Sequence, residues 1–336
     1  MIIDSYSHGY YGKYLDQLVE AGGDFLKQTL DRIRHILQKK PSLVDISLRM
    51  KLLDKYGIDR QLLTTIHTMD CNLFPGDQAG QLVIAKAVNE HMARITEDSK
   101  GRLLAAGNVP LADFEKGGRQ EMDRAIQTLG LKAVMINSNF NGKPIDLPEF
   151  EPFWAHAAQM NVPVYIHPNH PAGTTDRSYE DQYGLIHNFG WPYETVLALA
   201  RLVFSGIMER YPTLKVVSHH LGGGMIPFFM GRTNESYSPE EQQKCFGRVL
   251  PRPLEEYFSR FYYDTAVGGS APAVRCAYEV FGADRIIFAT DFPLGPGTGE
   301  DRLAQYPEVI RSLGLSEAET RAIFSGNARR VIHLDS

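Results

Sequence analysis

Val162-Pro163-Val164-Tyr165-Ile166-His167-Pro168 is the stretch that decides the fold of this chain. The run is apolar at successive positions rather than at alternate ones, the mark of a strand buried on both faces. It ends on an imidazole, and Pro168 stops the strand, leaving His167 as the last residue to point at the rim. Three other runs follow the same plan. Leu214-Lys215-Val216-Val217-Ser218 leads into His219-His220, Arg285-Ile286-Ile287-Phe288-Ala289-Thr290 into Asp291, and Met1-Ile2-Ile3-Asp4 toward His8. Residues able to bind metals or move protons would meet on one rim if these strands are parallel and close into a barrel.

Outward from these runs, strand-like and helix-like segments alternate along the chain. The strands are expected at 1–5, 61–67, 103–108, 132–137, 162–167, 214–219, 260–265 and 284–290. Helical spacing fills 77–98, 148–160, 193–210 and 271–282; in the third of these, Val196, Leu197, Leu199, Ala200, Leu202 and Val203 recur on one face. Leu147-Pro148 sets a proline where a first helical turn tolerates it, Ser316 reads as an N-cap, and Asn327-Ala328-Arg329-Arg330 falls in a C-terminal helix. Eight strands alternating with helices specify an α/β fold, the (β/α)8 TIM barrel, with a doubly wound parallel sheet as the competing architecture. The crossover from about 9 to 60 is too long for one helix. It reads as a helical insertion near the barrel mouth within a single domain spanning 1–336.

The totals bound the partners. The chain of 336 residues is 43% hydrophobic and 22% charged, typical of a globular protein with a sizeable core. A net charge of −5 and a pI near 6.1 give no basic footprint for nucleic acid or for an anionic membrane surface. The three cysteines, Cys71, Cys245 and Cys276, form no CxxC pair and no disulfide framework, which suits a reducing, cytoplasmic location. No signal-peptide pattern and no apolar run of membrane-spanning length is present.

The candidate site residues each carry two readings. His167 is a ligand or a hydrogen-bonded histidine within the barrel. His219 and His220 face opposite ways on a strand. His220, which leads into Gly222-Gly223-Gly224, is the favoured site residue and His219 a packing or supporting one. Asp291, set between an apolar strand and Phe292-Pro293, needs a cationic partner if it is buried; otherwise it caps the following segment. Asp264 either touches the site or orients a histidine. In Asp4-Ser5-Tyr6-Ser7-His8, positions 6 and 8 point the same way on a strand. His8 is a good imidazole ligand. Tyr6 either binds a metal as phenolate, against a free pKa near 10, or stays a phenol bonded to a metal-bound water or to substrate. Arg49, a lone basic residue in Ile46-Ser47-Leu48-Arg49-Met50, holds an anionic substrate or snorkels at the surface. His170, in a loop after Pro168, is a candidate substrate contact. His35, His67, His91, His156, His187 and His333 lack such a setting and read as structural or exposed.

Assembled in order, these residues resemble the amidohydrolase superfamily, in the branch that contains aminocarboxymuconate-semialdehyde decarboxylase and γ-resorcylate decarboxylase. The resemblance covers nearly the whole chain. It rests on Ile3-Asp4-x-Tyr6-x-His8, Tyr56-Gly57-Ile58-Asp59, Pro163-Val164-Tyr165-Ile166-His167-Pro168, Arg201-Leu202-x-x-Ser205-Gly206, Tyr211-Pro212-x-Leu214-Lys215, Ala289-Thr290-Asp291-Phe292-Pro293 and Gly326-Asn327-Ala328-Arg329-Arg330. It implies one divalent metal ion, zinc or else manganese, held by Tyr6, His8, His167 and Asp291. It also implies His220 as acid/base, with Asp291 assisting, and Arg49 on a substrate carboxylate. Tyr6 departs from the histidine or glutamate that the family carries at that position. The resemblance implies a non-oxidative decarboxylase of an aromatic or conjugated carboxylic acid. The alternatives are a metal-dependent hydrolase or hydratase of a lactone or ring-cleavage product, and a metal-free member that only binds a small acid. A homo-oligomer acting on a small anionic organic substrate is expected.

Overall fold

The structure, a computed structural model, describes residues 1–66, 69–74, 77–170 and 182–334. Eight parallel strands stand side by side in chain order: β1 Ile3–His8, β2 Arg60–Thr64, β3 Leu103–Gly107, β4 Ala133–Asn137, β5 Val164–His167, β6 Val216–Ser218, β7 Tyr262–Asp264 and β8 Ile286–Ile287. The circle closes between β1 and the segment beyond β8. Ser5 N donates to Phe288 O at 2.9 Å, Asp291 N to Tyr6 O at 2.9 Å and His8 N to Phe292 O at 2.8 Å. The fold is therefore the (β/α)8 barrel expected from the sequence, and His67 of the expected second strand lies outside the described residues.

Side chains sort to two sides of the barrel wall because successive strand residues point oppositely. Ile3, Leu62, Leu104, Ala133, Met135, Tyr165, Val217 and Ile287 fill the barrel, and Ala328, Val331 and Ile332 from the C-terminal helix pack into the same cluster. Val134, Ile136, Val164, Ile166 and Val216 face outward into the layer shared with the helices. Each aliphatic side chain sealed this way stabilises by about 1.5–3 kcal/mol, which is why the strands could be read as near-continuous apolar runs.

The last three strands are shorter than their apolar runs, and the hydrogen bonds explain it. Phe288 N bonds Ile323 O at 3.0 Å and Ala289 N bonds Thr265 Oγ1 at 2.9 Å, so the ladder gives way to other partners. Beyond Ser218 the chain turns through the left-handed region at His220, Leu221, Gly222 and Gly223. The expected N-cap is present: Ser316 and Glu319 form a reciprocal capping box.

The first crossover holds two helices, α1 Leu15–Lys39, broken at Gly23, and α2 Ile46–Tyr56, capped by Asp45 and ended by left-handed Gly57. Ile36 of α1 reaches the wall of the cavity at the strand ends. Lys40, just past α1, donates to Gly295 O at 2.5 Å and to Gly297 O at 2.7 Å in the loop beyond β8.

Candidate active site

A cavity of about 620 Å³ opens at the C-terminal ends of the strands, and Tyr6, His8, His167, His220 and Asp291 line it together. Function in barrels of this kind is placed at that face. Also in the wall are His187, Trp191, Gly223, Leu294 and Arg302.

Three imidazoles are oriented by the same device. Nδ1 of His8 lies 3.0 Å from Thr65 O, Nδ1 of His167 lies 2.6 Å from Pro168 O, and Nδ1 of His220 lies 2.8 Å from Ala266 O. A carbonyl only accepts, so each Nδ1 carries the proton and Nε2 is turned to the other edge of the ring. Carbonyl–imidazole pairs of this kind orient metal-ligating histidines.

Asp291 sits in the left-handed region (φ 57°). Burial alone would raise its pKa, but His8 and the positive charge of Arg302 outweigh burial and hold it down to about 2. Its Oδ2 accepts from Arg302 Nη1 at 2.6 Å. Its Oδ1 lies 3.2 Å from His8 Nε2, yet has no hydrogen-bond partner among the described residues. A buried carboxylate oxygen left without a donor is an arrangement that a bound cation relieves. The donor chemistry fits a divalent metal ion. The spacing is looser than a coordination shell: no three His, Cys, Asp or Glu side chains among the described residues are gathered closely enough to hold an ion, and the His8 and His167 ring centroids stand 5.8 Å apart.

Tyr6 is a buried phenol. Its oxygen is 3.0 Å from His8 Nε2, and its ring stacks on that of His219 with centroids 3.5 Å apart. Burial, reinforced by the charges of Asp291 and Asp264, pushes its pKa well above 10, so it donates to His8 as a neutral hydroxyl. The two neighbouring histidines part company. His219 is fully buried and bonded through Nδ1 to Asp264 Oδ2 at 2.8 Å. Burial, only partly offset by Asp264, lowers its pKa to about 4. Only His220 lines the cavity. Asp264 Oδ1 accepts from His220 N and from Ala266 N, each at 2.9 Å, which fixes both the turn and the carbonyl that orients His220. Gly223 (φ 69°) is required in that turn, since a Cβ there would come within 2.2 Å of Pro192 O.

Arg49 corrects an expectation. It does not reach the cavity but lies buried at 1% exposure. Its Nε donates to Ser42 O at 3.0 Å, Nη1 to Gln61 Oε1 at 2.7 Å, and Nη2 to His8 O. Gln61 passes the link to Asp4 Oδ2 at 2.7 Å, and Asp4 receives Thr290 N at 2.9 Å and Thr290 Oγ1 at 2.6 Å. The arginine therefore braces the seam where β1, β2 and the end of β8 meet. Its apolar sequence setting reflected burial rather than a cavity mouth or a snorkelling surface. His170 is also displaced from its expected place: it is exposed and does not line the cavity. His187, read as structural or exposed, lies in the wall instead, its ring centroid 4.5 Å from that of Trp191. Arg302, the cation on Asp291, was not anticipated. The only signal in the sequence is a basic residue shortly after a loop that begins at the candidate ligand.

The chain is similar to known proteins over most of its length. The chain is 31% identical over 291 residues to 2-amino-3-carboxymuconate-6-semialdehyde decarboxylase of Dictyostelium discoideum, an alignment covering 87% of this chain and 77% of that one. The crystal structure of 2,6-dihydroxybenzoate decarboxylase complexed with 2,6-dihydroxybenzoate superposes with a TM-score of 0.80 at 25% identity, covering 100% of this chain and 99% of the other. Dihydroxybenzoic acid decarboxylase from Polaromonas sp. JS666, solved with bound manganese and 2-nitroresorcinol, shares the fold with a TM-score of 0.81 at 23% identity, over 100% of this chain and 97% of that one. The amidohydrolase family pattern matches residues 49–334; the chain belongs to the amidohydrolase family.

Proposed function

We propose that the chain is a metal-dependent, non-oxidative decarboxylase of a small aromatic or conjugated carboxylic acid. The observation that carries this is the meeting of His8, His167, His220 and Asp291 in one cavity, in a chain similar over most of its length to decarboxylases. His8, His167 and Asp291 would hold one divalent cation, zinc or manganese. That ion supplies Lewis acidity and a template for the carboxylate and a neighbouring oxygen. Tyr6 stays a neutral hydroxyl that packs its ring on His219 rather than a phenolate, and its hydrogen bond to His8 Nε2 would give way to the ion on that lone pair.

His220 carries the proton. With Nδ1–H anchored on Ala266 O, its Nε2 edge is the one turned to substrate. The imidazolium delivers the Nε2 proton to the carbon that bears the carboxylate. The carbon–carbon bond then breaks, its electron pair stays with the ring, carbon dioxide leaves, and the imidazole recovers a proton from solvent. Asp264 and Ala266 position this histidine, and Asp291 adds a negative charge to the same cavity wall. The cavity wall of Trp191, Ile36, Ile66 and Leu294 offers apolar surface to a flat ring.

No helix among the described residues is long and apolar enough to cross a membrane. Cys71, Cys245 and Cys276 are all free thiols, which supports a reducing cytoplasm as the working compartment. The test is carbon dioxide release from 2-hydroxybenzoate- and 2,6-dihydroxybenzoate-type acids by protein reloaded with zinc or manganese. Release is expected with at least one acid, and His220→Gln is expected to lower kcat by about 100-fold or more. No release from any of these acids with either metal overturns the reading.

A further inference from the structure

Arg302 is the one lysine or arginine side chain among the described residues of the cavity wall. It projects from the first turn of the helix Glu300–Ser312, and its side chain is 18% exposed. Nη1 alone makes its hydrogen bonds: to Asp291 Oδ2 at 2.6 Å and to Thr290 O and Asp291 O at 3.1 Å each. Nη2, with two N–H groups, has no acceptor among the described residues. A guanidinium carries five donors in a fixed fork, so one edge is anchored and another is unspent. The anchor holds that group beside the carboxylate that faces His8. Lys40, tied to Gly295 O and Gly297 O, adds positive charge at the same side of the mouth.

We propose that Arg302, and not the first-crossover arginine, is the residue that selects acids in this pocket. Nη2 holds a carboxylate oxygen of the aromatic ligand while Nη1 stays on Asp291. The proposal rests on the reading of the cavity as an aromatic-acid site and names the side chain that tells the acid from its uncharged, decarboxylated counterpart. Arg49 cannot do this, since it is buried at 1% exposure away from the cavity and each of its three nitrogens bonds inside the protein.

The test follows Trp191 fluorescence while 2,6-dihydroxybenzoate or resorcinol is titrated into metal-loaded protein, and again into chelated protein. The second tryptophan, Trp154, is fully buried, bonded to Ile145 O and absent from the cavity wall, so it adds a constant background and the ligand-dependent change belongs to Trp191. In the wild type the acid binds more tightly than the phenol in both states. Arg302→Gln weakens the acid by about tenfold or more, as expected for a lost hydrogen bond to a charged group, and moves the phenol by less than about twofold. Metal content is measured in each sample, because the variant touches Asp291; the chelated arm reads the acid preference without that complication. If Arg302→Gln does not fold, Arg302→Lys carries the test. An ammonium cannot serve Asp291 and a ligand carboxylate as a fork does, and the acid-to-phenol preference falls about threefold or more. An unchanged preference in the variant, or no preference in the wild type, overturns the proposal. Carbon dioxide release is scored separately. Acid binding through Arg302 without release overturns only the decarboxylase reading; release with an unchanged preference overturns only this one.

Discussion

Two arginines flank the junction of β1 and β8, one in its sealed interior and one at the cavity rim, and they behave differently. Arg49, from the helix after β1, lies under the backbone of His8 and spends its donors on Ser42 O, Gln61 Oε1 and His8 O. Arg302, from the helix after β8, is anchored by one nitrogen and faces the cavity. Their carboxylate neighbours differ in the same sense. Burial, against the pull of hydrogen bonds from Thr290 and Gln61, pushes the pKa of Asp4 up to about 6; His8 and Arg302 hold Asp291 at about 2. A charge sealed in the seam serves the fold, and a charge left half-engaged at the rim is available to a ligand.

The largest effect should come from breaking the sealed region. Arg49→Ala leaves Gln61 Oε1 and the His8 and Ser42 carbonyls without their donors where water cannot follow. Removing one partner from a buried charged network costs about 3–5 kcal/mol. Chemical denaturation should show a loss of that size, and metal-loaded samples should show the same loss. A loss under about 1 kcal/mol would mean that Arg49 does not brace the seam, and the contrast with Arg302 would collapse.

The same contrast marks how much was legible in the sequence. The eight strands could be read because a strand buried on both faces must be apolar throughout, as Val164-Tyr165-Ile166 and Val216-Val217 are. The rim residues His8, His167, His220 and Asp291 could be read because each ends such a run. Arg49 is not legible because spacing alone offers an arginine among apolar residues a cavity mouth or a surface, and it occupies neither. Its partner Gln61 lies across the seam, on β2, and Asp4 beyond it on β1, so nothing local announces the network. Arg302 was missed because the segment from Pro293 to Gly299 is irregular, and no periodicity says which way the following helix aims its first turn. The choice between His219 and His220 turned on the left-handed backbone at His220, which strand alternation alone does not reveal.

A smaller effect, of opposite sign from ordinary acid lability, should mark Asp4. Its folded pKa is about 6 against 3.8 for the free carboxyl. Between those values the folded protein holds the proton more tightly than the unfolded chain, so this group makes stability rise as pH falls from 6 to 3.8 and makes it fall as pH rises through the same window. The swing is on the order of 2 kcal/mol. Asp4→Asn should flatten that part of the stability curve, measured by denaturant unfolding at fixed pH steps. Asp291 runs the other way: its contribution is present above 3.8 and is lost toward 2. An Asp4→Asn curve that keeps the slope between pH 6 and 3.8 would show that the seam does not hold a costly charge.

The smallest stability effect should come from Arg302→Gln. The variant removes the cation from Asp291 Oδ2, but the carboxylate it leaves keeps His8 Nε2 at 3.2 Å from Oδ1 and stands on a cavity wall that water reaches. A glutamine amide can still donate to Thr290 O or Asp291 O, and water can solvate the freed carboxylate oxygen. The loss is therefore expected near 1 kcal/mol, a fraction of that for Arg49→Ala, and smaller still in the metal-loaded protein, where a bound cation would compensate Asp291 directly. Thermal unfolding of loaded and chelated samples separates the two cases. A loss as large as that of Arg49→Ala in both states would make Arg302 a second structural brace rather than a rim group with an edge to spare.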